Sequence, residues 1–232
     1  MTVTLNFLII LLGDSLAMKI YLLLTLLFCA SSFSQETTIE VISIEYPPFT
    51  TVERDDDGLA FTLLRKSKIG SSLTWIPVFL PPGRANRVIN ADQWCASFYP
   101  PSSTLNFSSY VLDENLISIS LIRKREPTEF TWTMLEELKP YLIGLLRTNH
   151  NSQFVKSFTD AGIKIFYMES VETGIKMVLS DRVDYAMIDN ITFDSLDSET
   201  KRQLQFSNTH LLETQITLYI NNKCAEIKSN VE

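Results

Sequence analysis

The chain has 232 residues and a formal net charge of −7, with 27 acidic side chains against 20 basic ones. That balance argues against a nucleic-acid partner, whose phosphates demand a basic face. No CxxC, HExxH, GxSxG or phosphate-loop spacing occurs, and the two histidines, His150 and His210, stand apart without ligand spacing, so neither a catalytic motif nor a cofactor is expected.

Lys19 opens the apolar run IYLLLTLLFCA, and Ser32, Phe33 and Ser34 supply a small-x-small cleavage pattern before Gln35, so residues 1–34 read as a signal peptide. The stretch before Met18 carries Asp14 and no basic residue, which makes Met18 the expected start and residues 1–17 an over-called extension. One long uncleaved anchor is the alternative, and a lipoprotein reading through Cys29 puts bulky Phe28 where a small residue is wanted. Cleavage removes one Asp and one Lys, leaves the charge unchanged, and leaves about 200 residues, enough for one large domain or two small lobes. Cys95 and Cys224 are then the only cysteines; an oxidising compartment permits a bridge between them, and their spacing does not require one.

IEVISI (39–44) is apolar on both strand faces, as a buried parallel strand should be. LAFTLLRKSKIG (59–70) reads as a helix closed by Gly70, LTWIPVFL (73–80) as a strand, ANRVINA as a short helix and WCASFY (94–99) as a strand. The alternation then repeats. FTWTMLEELK carries a capping box, Thr133 with Glu136, ahead of the strand YLIGLLR (141–147); SQFVKSFTDAG is a helix ending at Gly162, and IKIFYM (163–168) a strand. Ser170 caps SVETGIKMVLSDR, whose Val171, Ile175, Val178 and Leu179 form one apolar face, and VDYAMI (183–188) follows as a strand. Two successive βαβαβ patterns predict an α/β fold of two doubly wound lobes with a cleft between them. SYVLDENLISISLIRKRE and QITLYINNK are long and β-rich and suit the crossovers, so lobe one is expected over 35–112, completed by 223–232, and lobe two over 113–222.

In open parallel sheets, ligands bind beyond the carboxyl ends of the strands. In lobe one those positions hold Glu45, Tyr46 and Phe49, then Arg84, then Tyr99 with Pro100; in lobe two they hold Arg147, Glu169 and Asp189. The two prolines of YPPF (46–49) restrict the aromatics beside them, so their rings can cover a ligand at small entropic cost. Asn149, Asn151 and Ser152 sit where a helix N-terminus would point N–H groups at an anion. Plainer readings stand beside these: Tyr46 and Phe49 as a roof on the core, Arg84 and Arg147 as surface charges, Asp189 as a helix N-cap. In ERDDDG (53–58), Glu53, Asp55, Asp57 and Gly58 approach calcium-loop spacing, but Leu64 stands where the loop needs its last acidic ligand, so a solvated turn is expected.

The order of these features resembles the bacterial periplasmic solute-binding proteins of the polar amino-acid class (extracellular solute-binding protein family 3), which have the type II periplasmic binding fold. The likeness runs from about Ile39 onward. It rests on YPPF after the first strand, GLAFTLLR, PPGRANRVI, NFSSY, which is similar to the family's Phe-Ser-x-Pro-Tyr, and VLSDRVDYAMIDN, similar to its Gly-Arg-x-Asp stretch followed by an Asp. The resemblance implies that Tyr46 and Phe49 sandwich a solute and that Asp189 pairs with an amino group. It departs in three places. PPSSTLNFSSY lacks the family's carboxylate-binding Arg, Ser180 replaces a Gly, and the segment after IKSNVE that would form a helix packed on lobe one is expected to be missing. The function implied is periplasmic binding of a small polar solute, amino acid-like or an organic acid, by a monomer that delivers it to an ABC permease. A sensory module for a membrane receptor is the alternative, as is a cyclohexadienyl dehydratase-like lyase using Glu45 or Glu169.

Overall fold

The computed structural model describes residues 38–69, 73–148 and 152–224; residues 1–37, 70–72, 149–151 and 225–232, and with them the expected signal peptide, Gly70, Asn149 and Asn151, lie outside them. The described chain forms two α/β lobes. In lobe one the sheet order is β2 (Thr74–Phe79), β1 (Thr38–Ser43), β3 (Ala96–Ser97), β11 (Thr217–Asn221), β4 (Phe107–Val111). β1 runs parallel to β2 and β3, and β11 runs antiparallel to β3 and β4.

Both faces of β1 are covered from Val41 onward, whereas Thr38 and Glu40 are exposed. Ile39 and Val41 pack with Phe61 and Leu64 of α1 (Leu59–Lys66) and with Trp75, Ala96, Leu218 and Ile220. Ile42 packs the other way, with Ala85 and Ile89 of α2 (Pro82–Asn90) and with Trp94 and Tyr99. Phe61 and Leu64 are wholly buried, worth about 1.5–3 kcal/mol each.

Lobe two is built the same way around β10 (Leu212–Thr214), β5 (Ile117–Lys124), β8 (Tyr185–Asp189), β6 (Leu142–Leu146) and β7 (Lys164–Met168), with β9 (Leu204–Phe206) also paired to β5. One face carries Leu121, Ile143, Leu145 and Tyr185 under Phe158 of α3 (Gln153–Asp160) and under Phe130, Trp132 and Leu138. The other carries Ile122, Leu146, Ala186 and Ile188 under Val171, Ile175 and Val178 of α4 (Val171–Leu179), the apolar helix face expected from the sequence. Ser170 caps α4 by accepting from the Thr173 N–H. Short helices α5 (Asn190–Ser195) and α6 (Ser198–Gln203) follow β8.

Three local expectations are corrected. WCASFY yields only a two-residue strand, because its outer residues bend toward the cleft and toward α2. The Thr133–Glu136 capping box becomes a 3-10 turn over Leu135–Leu138, in which Glu137 reaches back and its Oε1 accepts the N–H groups of Thr133 and Met134, each at 3.0 Å. The return crossover, expected near Asn222, falls at Gln215–Ile216, since β11 has its partners in the first sheet. Both crossovers run side by side: the Leu112 N–H donates to the Ile216 carbonyl at 2.8 Å, and the Gln215 amide donates to the Glu114 carbonyl at 2.9 Å.

Cys95 and Cys224 are disulfide-bonded, with Cα atoms 5.6 Å apart. The antiparallel register of β3 and β11 sets Ala96 opposite Ile220, so Cys95 and the turn after β11 meet at one end of the sheet. There the Cys224 N–H donates to the Asn221 carbonyl. The bond therefore ties the strand that returns from lobe two into lobe one.

Candidate ligand-binding cleft

The carboxyl ends of β1, β3, β6 and β8 face one cavity of about 810 Å³, lined by residues of both lobes. Of the nine strand-end residues singled out from the sequence, Tyr46, Phe49, Tyr99, Pro100, Arg147 and Asp189 line it. Glu45, Arg84 and Glu169 do not. Glu45 turns back on its own loop, where its Oε2 accepts the Val52 N–H at 3.1 Å. Arg84 sits on the exposed side of α2, whose buried residues Pro82, Ala85 and Ile89 face the sheet. The helix rotates Asn86 and Asn90 toward the cavity instead, and the Asn90 amide donates to Asn86 Oδ1 at 2.9 Å. The signal for these two was present in ANRVIN: asparagines four apart beside the buried stripe share one helix face.

The YPPF corner is a closed hairpin. Tyr46 and Thr50 exchange backbone hydrogen bonds, and the Phe49 N–H donates to the Tyr46 carbonyl at 3.0 Å. The acidic turn then clamps it: the Thr51 N–H donates to the Asp57 carbonyl, and the Leu59 and Ala60 N–H groups donate to the Pro48 and Phe49 carbonyls. ERDDDG is thus a turn closed by its own groups, with Arg54 on Asp56 and Arg65 on Asp57. Gly58 makes the clamp possible, with φ +96° and an added Cβ falling 2.5 Å from the Phe49 carbonyl oxygen. Gly58→Ala is expected to cost about 2–4 kcal/mol from backbone strain and overpacking together, seen as a lower melting temperature. A melt unchanged within error would mean that the loop is not held this way.

Phe49 is 9% exposed and packs into a small core with Ala60, Ile117 and Ile216, so it joins the two lobes at the crossover as well as lining the cleft. Tyr46 packs against that cluster and against the α4 side of lobe two.

Asp189 ends β8, is 1% exposed and caps α5, its Oδ1 accepting from the Thr192 N–H at 2.8 Å. Its Oδ2 is buried without a hydrogen-bond partner. An unmade buried hydrogen bond costs about 1–3 kcal/mol, more for a charged group, so such an atom calls for a donor. Tyr46 stands beside this carboxylate. Burial first, then the Asp189 charge and the phenol's approach to that carboxylate, hold its phenol well above the ordinary tyrosine value, although the approach does not reach hydrogen-bond geometry at Oδ2.

Burial also raises the phenols of Tyr99, Tyr185 and Tyr219. In each case the fold favours the neutral form, so this contribution is whole below the unfolded tyrosine pKa of about 10 and is lost as pH rises toward the folded value. In an alkaline titration, phenolate absorbance of the native protein should lag behind that of the unfolded chain, and Tyr46→Phe should remove one late-titrating phenol. Coincident curves for native and unfolded protein would contradict this.

Arg147 follows β6 and lies in an ion pair with Glu169, which follows β7, its Nε 2.5 Å from Glu169 Oε1. The pair answers one strand-end charge with another inside lobe two. The N-terminus of α3 also reaches the cavity through Ser152, Gln153 and Phe154, but Ser152 Oγ already accepts from the Val155 N–H. What remains there is a helix-end partial charge, worth about 0.3–1 kcal/mol to an anion.

The lobes touch across the cleft. The Thr192 hydroxyl donates to the Pro47 carbonyl at 3.2 Å, and the Tyr99 hydroxyl donates to the Arg147 carbonyl at 3.3 Å. Gly83, near the start of α2, lies against the Arg147 side chain, where an added Cβ would fall 2.9 Å from Cδ. Gly83→Leu is therefore expected to prop the lobes apart and weaken ligand binding by about tenfold or more, through overpacking of about 1–3 kcal/mol, with little change in the melting of the free protein. Equal ligand affinity in the variant would remove this contact from the closed state.

No protein-family model matches the chain, and no curated protein does. Solved structures do. The GluR0 ligand-binding core from Nostoc punctiforme in complex with (L)-glutamate aligns with a TM-score of 0.62 at 13% identity, over 83% of this chain and 89% of that one. An arginine-bound mutant of ArgBP from T. maritima aligns at 0.62 and 12% identity, over 83% and 92%. The BvgS VFT2 domain of Bordetella pertussis, a double mutant, aligns at 0.58 and 13%, over 84% of each chain. The fold is thus that of the type II periplasmic binding proteins, as the order of motifs implied.

Proposed function

We propose that this protein is a two-lobed solute-binding module of the periplasm. Its lobes close on a small polar ligand held through a cationic group. The observation that carries the reading is Asp189, which lines a cavity between two lobes and has one buried carboxylate oxygen without a hydrogen-bond partner. An organic acid without a cationic group would meet this carboxylate uncompensated, so a ligand that carries a cationic group, as an amino acid or an amine does, fits better. Ligand contacts from both lobes favour the closed state, and the closed state is what a membrane partner recognises.

An ABC permease is the partner we favour, and a membrane receptor is the second reading, supported by the likeness to the BvgS domain. A lyase is not favoured. Glu45 is turned away from the cavity, and Glu169 is engaged with Arg147, so neither carboxylate stands free over the site as an acid or base.

A thermal-shift screen of the purified protein against amino acids, amines, organic acids and oligopeptides tests the binding reading. A ligand at a hundredfold excess over its Kd adds about 2.7 kcal/mol and should raise the melting temperature visibly. A flat response across the whole screen would sink it.

A further inference from the structure

We infer that the cleft selects organic cations that carry no carboxylate, that is, amines or guanidines with an apolar or aromatic body rather than α-amino acids. The inference rests on the solute-binding reading and narrows its ligand class. Three observations converge on it. Asp189 lines the cavity and carries a buried oxygen without a hydrogen-bond partner, the complement of an ammonium or guanidinium N–H. Among the described residues the only cationic side chain lining the cavity is Arg147, and its charge is already answered by Glu169. The lining is also rich in aromatic rings, Tyr46, Phe98, Tyr99, Phe154 and Tyr219 among them, whose faces attract cations and do nothing for anions.

The charge balance of the cleft decides the matter. An α-amino acid brings one group of each sign, and among the described residues the site offers an uncompensated partner to the positive one only. Its carboxylate would leave water for Pro100–Thr104, a stretch of prolines and hydroxyls, and for a helix end that supplies only partial charge. An amine of the same body leaves that group behind, and the same contacts then hold a ligand with no unpaired charge.

Matched pairs test this directly. Isothermal titration calorimetry of the purified protein would compare agmatine with L-arginine, cadaverine with L-lysine, histamine with L-histidine, and phenethylamine with L-phenylalanine. The expected result is tighter binding of the decarboxylated member by about tenfold or more in at least one pair. Asp189→Asn should weaken that amine and flatten the preference. Equal or tighter binding of the amino acid in each pair that binds overturns the inference and leaves the solute-binding reading standing. Silence from all eight compounds overturns it as well, and the broader thermal-shift screen then judges the binding reading separately.

Discussion

Replacing Asp189 by Asn should weaken any ligand that enters the cleft through a cationic group by about two to four orders of magnitude, with little effect on folding. The carboxylate is 1% exposed, and only one of its oxygens is used by the protein, as the cap of α5. Breaking a desolvated charge pair by removing one partner typically costs about 3–5 kcal/mol. The Asn amide oxygen can still accept the Thr192 N–H, so the cap survives while the charge goes. Asp189→Ala loses both and should destabilise the protein by about a further 1 kcal/mol. α5 also carries Thr192, whose hydroxyl bridges to the Pro47 carbonyl across the cleft, so losing the cap should loosen closure too. Calorimetric affinity and melting temperature separate the two effects. Unchanged affinity in Asp189→Asn would take this residue out of the site.

The second large effect is expected from the disulfide. Cys95 and Cys224 are 129 residues apart in sequence, and the bond closes a loop that spans the whole of lobe two. By loop-closure entropy a cross-link of this span contributes up to about 5 kcal/mol, and measured values run from about 2 to 5 kcal/mol. At about 2–4 °C per kcal/mol for a domain of this size, Cys224→Ser or reduction should lower the melting temperature by roughly 5–20 °C. The strain should fall on β3, only two residues long, which depends on β11 for one of its two neighbours. Titration of the unfolded, unreduced protein should find neither Cys95 nor Cys224 as a free thiol. Equal melting with and without reductant would mean that the bond does not form or does not matter.

Local pattern carried most of the architecture. The apolar residues of IEVISI point to both faces because helices cover both sides of β1 around Ile39, Val41 and Ile42, and the stripe Val171, Ile175, Val178 makes a helix face over a sheet. The strand ends were therefore legible, and with them the positions of Tyr46, Phe49, Tyr99, Arg147 and Asp189, since strand direction decides which end of the sheet a residue occupies. Rotation about a helix axis was not legible at the same precision. PPGRANRVIN begins at the cleft, but packing of Ala85 and Ile89 on β1 turns Arg84 to solvent and brings Asn86 and Asn90 inward. The return crossover was misplaced for a similar reason: QITLYINNK is β-rich whichever sheet it joins, and only its pairing with β3 and β4 decides. Charge compensation is the clearest tertiary property of all. Arg147 and Asp189 read alike in the sequence as charged strand ends. In the fold β7 runs beside β6 and sets Glu169 against Arg147, whereas Asp189 Oδ2 is left without a hydrogen-bond partner, with the Tyr46 phenol nearby. The sequence by itself determined the two α/β lobes and the end of each sheet where a ligand would sit. The tertiary structure alone decided which charge there remains unanswered, because that depends on neighbours brought together from distant parts of the chain.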